Sequence, residues 1–424
     1  MVESDLTTKQ VQEYKETEIG FFPSDWEITD LEKVTSMITD GKHGDCNNDP
    51  NSGYYFLSAK DVKDGELKYS SARQITKDDF DEADKRTKLQ LCDVLLTNSG
   101  TIGRLAIARD QEKTKRTTFQ KSVAILRANE TILDSQFLYY SLLSNKKRII
   151  ETAGGTTQKN LLLKDLRNFQ IAKPSLKTQK EISKILTSID SKIFNLNKRN
   201  SLLEKITQTI FKSWFIDFDG QTEFIDSELG DVPKAWEIKS IRKVAEINEL
   251  NIPKDFPHSK IEYIDISAVS EGKLLEIRKI PLVDAPSRAK RVVRDYDIIW
   301  STVRPNRKSY LLLNKPTPQM IVSTGFAVIT PKSVPASFLY SYLTTEEFVN
   351  YLISNADGSA YPAVNFDRIA EYKIVVPTHQ ILQSYDNITK KIFDQIWNNN
   401  ILSKKISKIR DSLLSKLMSG EIRI

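Results

Sequence analysis

The chain has 424 residues, 28% charged and 39% hydrophobic, with a formal net charge of +6. That length fits two globular domains plus connecting segments, and so even a charge balance does not mark the whole molecule as a nucleic-acid binder. There is no signal-peptide pattern, no apolar run long enough to cross a membrane, and only Cys46 and Cys92, outside any C-x-x-C spacing; a membrane span and a disulfide framework are excluded, and a reduced, cytoplasmic setting is expected.

The first element is a seventeen-residue segment, EIGFFPSDWEITDLEKV, at 18–34. It recurs as ELGDVPKAWEIKSIRKV at 228–244, offset by 210 without a gap, and eight of seventeen positions are identical, Pro23/Pro233 and Trp26/Trp236 among them. Chance would give about one. The repeat continues beyond this segment: YFLSAKDVKDGEL (55–67) matches YIDISAVSEGKL (263–274), DVLLTNSGTIGRLAI from Asp93 matches DIIWSTVRPNRKSYL from Asp297, and SQFLYYSLLS matches ASFLYSYLTT. A duplicated half-chain predicts two copies of one unit and a bipartite function. Within the copies, apolar runs around Tyr55, Asp93, Ser122 and Ile321–Ile329 predict strands, and helical patterns occupy 135–152 and 337–354. Each copy is then a mixed α/β domain with its own core.

A long helix follows each copy. From Thr178 to Phe215 there is no Pro or Gly, and a four-three spacing runs through Ile182, Leu186, Ile189, Ile193, Leu196, Asn200, Leu203, Thr207, Ile210 and Trp214. The same register in the second helix takes Ile381, Tyr385, Ile388, Ile392, Gln395, Asn399, Leu402, Ile406, Ile409 and Leu413. Eight of ten positions are apolar in each, a coiled-coil seam, with Asn200 and Asn399 at the same step as polar residues able to fix register. Two separate amphipathic helices, each packed on its own domain, are the alternative. At about 1.5 Å per residue each helix is on the order of 50 Å long, which suits a spacer. The expected organisation is α+β: a first globular domain at 1–175, a spacer helix at 176–218, a second domain at 219–377 and a second spacer helix at 378–424.

Two loops recur in both copies. One is Thr97–Arg104, matched by Ser301–Lys308; the other is Gly154–Asn160, matched by Asp357–Ala363. Their framing strands are alike while their polar residues differ, as reading two different short sequences would require. Arg and Lys suit guanine, Asn and Gln suit adenine. Basic residues also cluster at 85–127 (ten Lys/Arg against three Asp/Glu) and 278–308 (nine against three). The candidate DNA-binding residues are Asn98, Ser99, Thr101, Arg104, Thr157, Gln158, Lys159 and Asn160 in the first copy. In the second they are Arg288, Lys290, Arg291, Arg304, Asn306, Arg307, Lys308, Ser359 and Tyr361. Plain turns and a solvated charged face call for the same residue types.

Catalytic signatures are missing: no G-x-G-x-x-G, phosphate loop, H-E-x-x-H or G-x-S-x-G occurs, and His43, His258 and His379 are scattered. Glu66–Lys68 and Glu237–Lys239 form Glu-x-Lys tripeptides of the kind nucleases use, but the match of the second in the other copy is Glu27–Thr29, without the lysine. No catalytic residue and no metal site is expected.

Taken together, these residues resemble the specificity subunit of type I restriction–modification systems. I-G-x-x-P-x-x-W-E-[IV] occurs at Ile19–Ile28 and, with Leu229 in first place, at Leu229–Ile238. LLEKITQTIFKSWFIDF (202–218) is similar to that family's central helical region, and LLSKLMSGEI (413–422) to its C-terminal signature. The resemblance covers essentially the whole chain. It implies two target-recognition domains that each read half of a split, asymmetric DNA sequence, and two antiparallel helices that set the gap between the halves. It also implies partners: double-stranded DNA, two methyltransferase subunits with S-adenosylmethionine acting on adenine, and two motor-nuclease subunits with ATP and Mg²⁺. The chain itself would hold no cofactor. A protein-only coiled-coil scaffold and a stand-alone DNA nuclease are the competing readings.

Overall fold

The computed structural model describes residues 13–63, 65–70, 72–155, 159–358 and 362–424. The chain divides into two compact units: one takes the residues up to Ile193 together with Lys405–Ile424, the other Phe194–Lys404.

In the first unit the elements are β1 (Glu27–Asp30), β2 (Thr35–Asp40), β3 (Tyr55–Leu57), β4 (Arg73–Gln74), α1 (Lys77–Thr87), β5 (Val94–Thr97), β6 (Leu105–Ile107), β7 (Thr117–Phe119), β8 (Val123–Ala128), α2 (Ser135–Ser144), α3 (Lys146–Thr152) and β9 (Gln170–Lys173). They lead into the 40-residue helix α4 (Leu176–Phe215). The central sheet has the order β6-β5-β8-β2, all antiparallel. A second sheet, β7-β3-β4, contains a parallel pair, and β9 pairs with β1. β5 is buried at all four residues and β8 at five of six, so both are apolar on both faces, as central strands must be.

The second unit contains β10 (Glu237–Ser240), β11 (Ala245–Ile247), β12 (Lys260–Ile264), β13 (Arg278–Pro281), β14 (Ala289–Val292), β15 (Ile298–Ser301), β16 (Tyr310–Leu312), β17 (Met320–Ser323), β18 (Phe326–Pro331), α5 (Ala336–Leu343), α6 (Glu346–Ser354) and β19 (Lys373–Val376). A second 40-residue helix, α7 (His379–Met418), follows. Its central sheet, β16-β15-β18-β11, repeats the order of the first, and β19 pairs with β10 as β9 does with β1. The other sheet, β13-β12-β17-β14, again has a parallel pair, but β14 stands where the first copy has helix α1. The duplication is thus structural, and the copies diverge next to the second sheet.

The P-x-x-W motif recurs because it builds the same turn twice. Trp26 N–H donates to Pro23 O (3.0 Å) and Trp236 N–H to Pro233 O (2.9 Å), so the turn tucks the indole inward. Both indoles are 5% exposed. In the first unit Tyr14 Oη–H donates to Gly420 O (2.7 Å). Gly420 has φ +75°, and a Cβ there would lie 2.3 Å from Pro23, so no other residue fits.

The two long helices run antiparallel. In the first unit Ile182 and Leu186 share a core with Leu414, Leu417 and Met418, and Arg410 pairs with Asp190 at 2.6 Å. In the second, Phe211 and Phe215 pack against Leu382 and Tyr385. Asn200 and Asn399 are both buried and bonded to each other.

Three expectations need correction. The apolar run 321–329 is two strands in different sheets, turned at Thr324–Gly325. The helical patterns at 135–152 and 337–354 each break once, at Asn145 and at Thr344–Thr345. On α4 Ile182, Leu186 and Asn200 are buried, with Ile189, Ile193 and Leu203 half-buried. On α7 Asn399 is buried and Ile392 and Ile406 are half-buried, but Ile388, Leu402 and Ile409 are 43%, 41% and 55% exposed. The buried line keeps Tyr385 and Asn399 but elsewhere passes one residue away, through Thr389, Ile396 and Ser403. Choosing positions by hydrophobicity favours Ile388 over Thr389, yet Thr389 Oγ1–H bonds the Tyr385 carbonyl (2.9 Å) and needs no water.

Candidate nucleic-acid interface

The strand β5 ends at Thr97, and the next residue is the meeting point of three segments. Asn98 N–H donates to Ser122 O (3.1 Å), and Asn98 O accepts from Leu161 N–H (2.8 Å). Gly154 and Asn160 exchange both main-chain bonds (3.2 and 2.8 Å), which brings the two ends of the second loop together beside the first. The second unit builds the same junction. Thr302 N–H donates to Gly325 O (2.9 Å), Thr302 O accepts from Val364 N–H (2.8 Å), and Asp357 and Ala363 exchange bonds of 2.9 Å each. In each copy, two loops distant in the chain are therefore one surface feature. Thr157, Gln158, Ser359 and Tyr361 lie outside the described residues.

The first junction is polar and partly buried. Asn98 is 5% exposed, and its Oδ1 is buried without a hydrogen-bond partner among the described residues. Ser99 bridges to Asn160, while Thr101, Lys159 and Asn160 are exposed. Arg104 is half-buried and donates from Nη1 to Ala59 O (3.3 Å). Ala59 N–H in turn donates to Ser122 Oγ (3.2 Å). Exposed Gln120 and Lys121, in the turn before β8, belong to this junction and are not singled out by the sequence. Only the charge cluster at 85–127 signals Lys121.

In the second unit a short 3₁₀ turn, Pro305–Arg307, carries the loop. Asn306 and Arg307 are exposed and Arg304 half-exposed; Arg304 N–H donates to Pro362 O (2.7 Å). Arg288 joins the junction through its carbonyl, which accepts from Thr324 N–H (2.8 Å) beside Gly325. Lys290 is exposed two residues along, in β14. Two candidates are engaged inside the fold instead. Lys308 pairs with Glu346 (2.9 Å), and Arg291 is half-buried, donating from Nη1 to Asn251 Oδ1 (3.0 Å). Burial disfavours the charge of Arg291, holding its pKa below the usual arginine value.

Neither basic cluster acts as a single patch. Arg127 pairs with buried Asp93 (2.7 Å), Lys115 with Glu112 (3.0 Å), Arg294 with Glu249 (2.8 Å) and Lys279 with Glu262 (3.0 Å). Arg86 also bonds Asp40. Glu237 and Lys239 of the Glu-x-Lys tripeptide pair with each other at 2.6 Å on the surface, as Glu66 and Lys68 do. Among the described residues no three His, Cys, Asp or Glu side chains converge in a metal-binding arrangement, and no helix is long and apolar enough to cross a membrane.

A family model for the type I restriction modification DNA specificity domain matches residues 23–207 and again 233–410. The specificity subunit of the type I restriction enzyme MjaIX from Methanocaldococcus jannaschii is 27% identical, with 97% of each chain covered. That of EcoDI from Escherichia coli is 23% identical over 95% of this chain and 90% of its own. The crystal structure of a type I restriction–modification S subunit from M. genitalium superposes with a TM-score of 0.58 at 18% identity, covering 92% of this chain and 96% of that one, and so has the same fold. With both halves matched by one model, the chain belongs to the type I restriction–modification DNA specificity family.

Proposed function

We propose that this chain is the subunit that chooses the DNA target of a type I restriction–modification complex. Domains at 1–175 and 219–377 each read one half of a bipartite, asymmetric sequence, and α4 and α7 set the unread gap. The observation that carries this reading is the repeated junction: the same main-chain bonds at Asn98/Leu161 and Thr302/Val364 frame different side chains. One frame with two sets of polar tips suits two different half-sites. The contacting residues proposed for the first half-site are Asn98, Ser99, Thr101, Lys159 and Asn160, joined by Gln120 and Lys121. For the second they are Arg288, Lys290, Arg304, Asn306 and Arg307.

Methyl transfer to adenine and DNA cleavage fall to partner subunits, two methyltransferases using S-adenosylmethionine and two motor-nucleases using ATP and Mg²⁺. The exposed apolar residues of the long helices, Ile185, Phe194, Leu202 and Ile206 on α4 and Ile388, Leu402 and Ile409 on α7, suit docking of the methyltransferases. The test is selection from a random duplex library by the chain bound to its methyltransferase partner. Two short conserved blocks at fixed separation, with affinity falling steeply as salt rises, are expected. Salt-independent binding with no sequence preference would favour a protein-only scaffold.

A further inference from the structure

The two copies differ at one backbone position in a way that singles out a side chain. Two residues past the junction residue Asn98 the first copy has Gly100, with φ +73°. Two residues past the matching Thr302 the second copy has Arg304, with φ +51°. The left-handed conformation is free for glycine and unfavourable for any residue with a Cβ. Arg304 also precedes Pro305, a position that ordinarily prefers extended backbone. The fold therefore needs a left-handed residue here, one copy supplies the residue best suited to it, and the other supplies arginine.

The surroundings hold that arginine in place. Its N–H donates to Pro362 O (2.7 Å), and its carbonyl accepts from Arg307 N–H (2.9 Å). Pro305 is buried and Lys308, itself at φ +53°, is tied to Glu346 (2.9 Å). The backbone on both sides is fixed while the side chain is half-exposed on the loop surface. Strain that the structure retains at a rigid loop tip points to a use for the side chain.

We infer that Arg304 is a base-reading residue of the second unit, presenting its guanidinium fork to a guanine in the major groove, and that the first unit reads no base at the matching position, Gly100. This rests on the DNA-specificity reading above. Arginine donates to guanine O6 and N7 together, a contact that neither glycine nor a single ammonium reproduces.

The experiment compares wild type, Arg304→Gly and Arg304→Lys as full-length chain bound to the methyltransferase partner, each by selection from a random duplex library and by thermal melting. In both variants one guanine of one half-site should relax by roughly 5- to 150-fold, with the other half-site and the gap unchanged. Thermal melting shows that each variant is folded at the temperature of the selection. Unchanged preference at every position would overturn the assignment. So would uniformly weaker binding with a salt slope shallower by about one, the mark of a phosphate contact. A wild-type chain that selects no sequence would sink the specificity reading itself, and this inference with it.

Discussion

Glu204 on α4 illustrates how single residues in this fold are set by burial. It lines a crevice of about 140 Å³ with Glu271, Tyr310, Tyr340 and Phe393. Burial pushes its carboxyl pKa up, Lys273 partly offsets this and Glu271 adds to it. A folded pKa above the unfolded one means the native state binds more protons, so this contribution is full at low pH and is lost as pH rises through the raised value. Glu204→Gln should therefore melt higher than wild type at pH 8. The difference should vanish below about pH 4, where an unperturbed glutamate is protonated. Equal melting of the two at pH 8 would show that the ionised carboxylate is well solvated. At this scale the paired loops of each copy are legible in the sequence as polar loops, but the fate of the charges in and around them is not. Arg294 and Glu249, or Lys308 and Glu346, are far apart in the chain, and only the folded sheets bring each pair together. Arg288, by contrast, is legible as basic, though not as a neighbour of Thr302.

Among the elements, the long helices carry the clearest physical argument. Asn399 Nδ2–H donates to Asn200 Oδ1 (2.7 Å), Asn200 Nδ2–H donates to Asn400 Oδ1 (2.8 Å), and Gln395 Nε2–H donates to Asn399 Oδ1 (2.8 Å). A bonded polar layer inside an apolar seam selects one alignment of the helices, because a shift leaves buried amides unpaired. Asn399→Leu alone strands Asn200 Oδ1 and should cost about 1–3 kcal/mol, whereas Asn200→Leu with Asn399→Leu should return close to wild type. Denaturant unfolding of the four proteins measures the coupling; additive losses would deny the layer its role. Both helices, and an asparagine at the same step of each, are readable from spacing alone; that the two asparagines bond to each other within the chain is not. The outward turn of Ile388, Leu402 and Ile409 is not, because Thr389 and Ser403, which take the buried line, carry polar side chains that pass for surface residues in a hydrophobicity count. The break of the 321–329 run is hidden for a similar reason: Gly325 turns the chain without interrupting its apolar character.

For the whole molecule the governing fact is duplication. Each unit repeats the P-x-x-W turn, the central sheet and the loop junction, and each draws on both long helices for its core. The recurrence of 18–34 at 228–244 makes this legible in the amino-acid sequence itself. The divergence of α1 from β14 is not legible there, because pairing into a second sheet depends on contacts that local sequence does not encode. If the units are independent readers, each should carry its specificity with it. The direct measurement is to replace residues 21–175 with the equivalent unit of a related specificity subunit and sequence the methylated sites in a host carrying the methyltransferase. One half of the methylated sequence should change while the other half and the gap stay the same; a target unchanged in both halves would contradict independent reading by the two units.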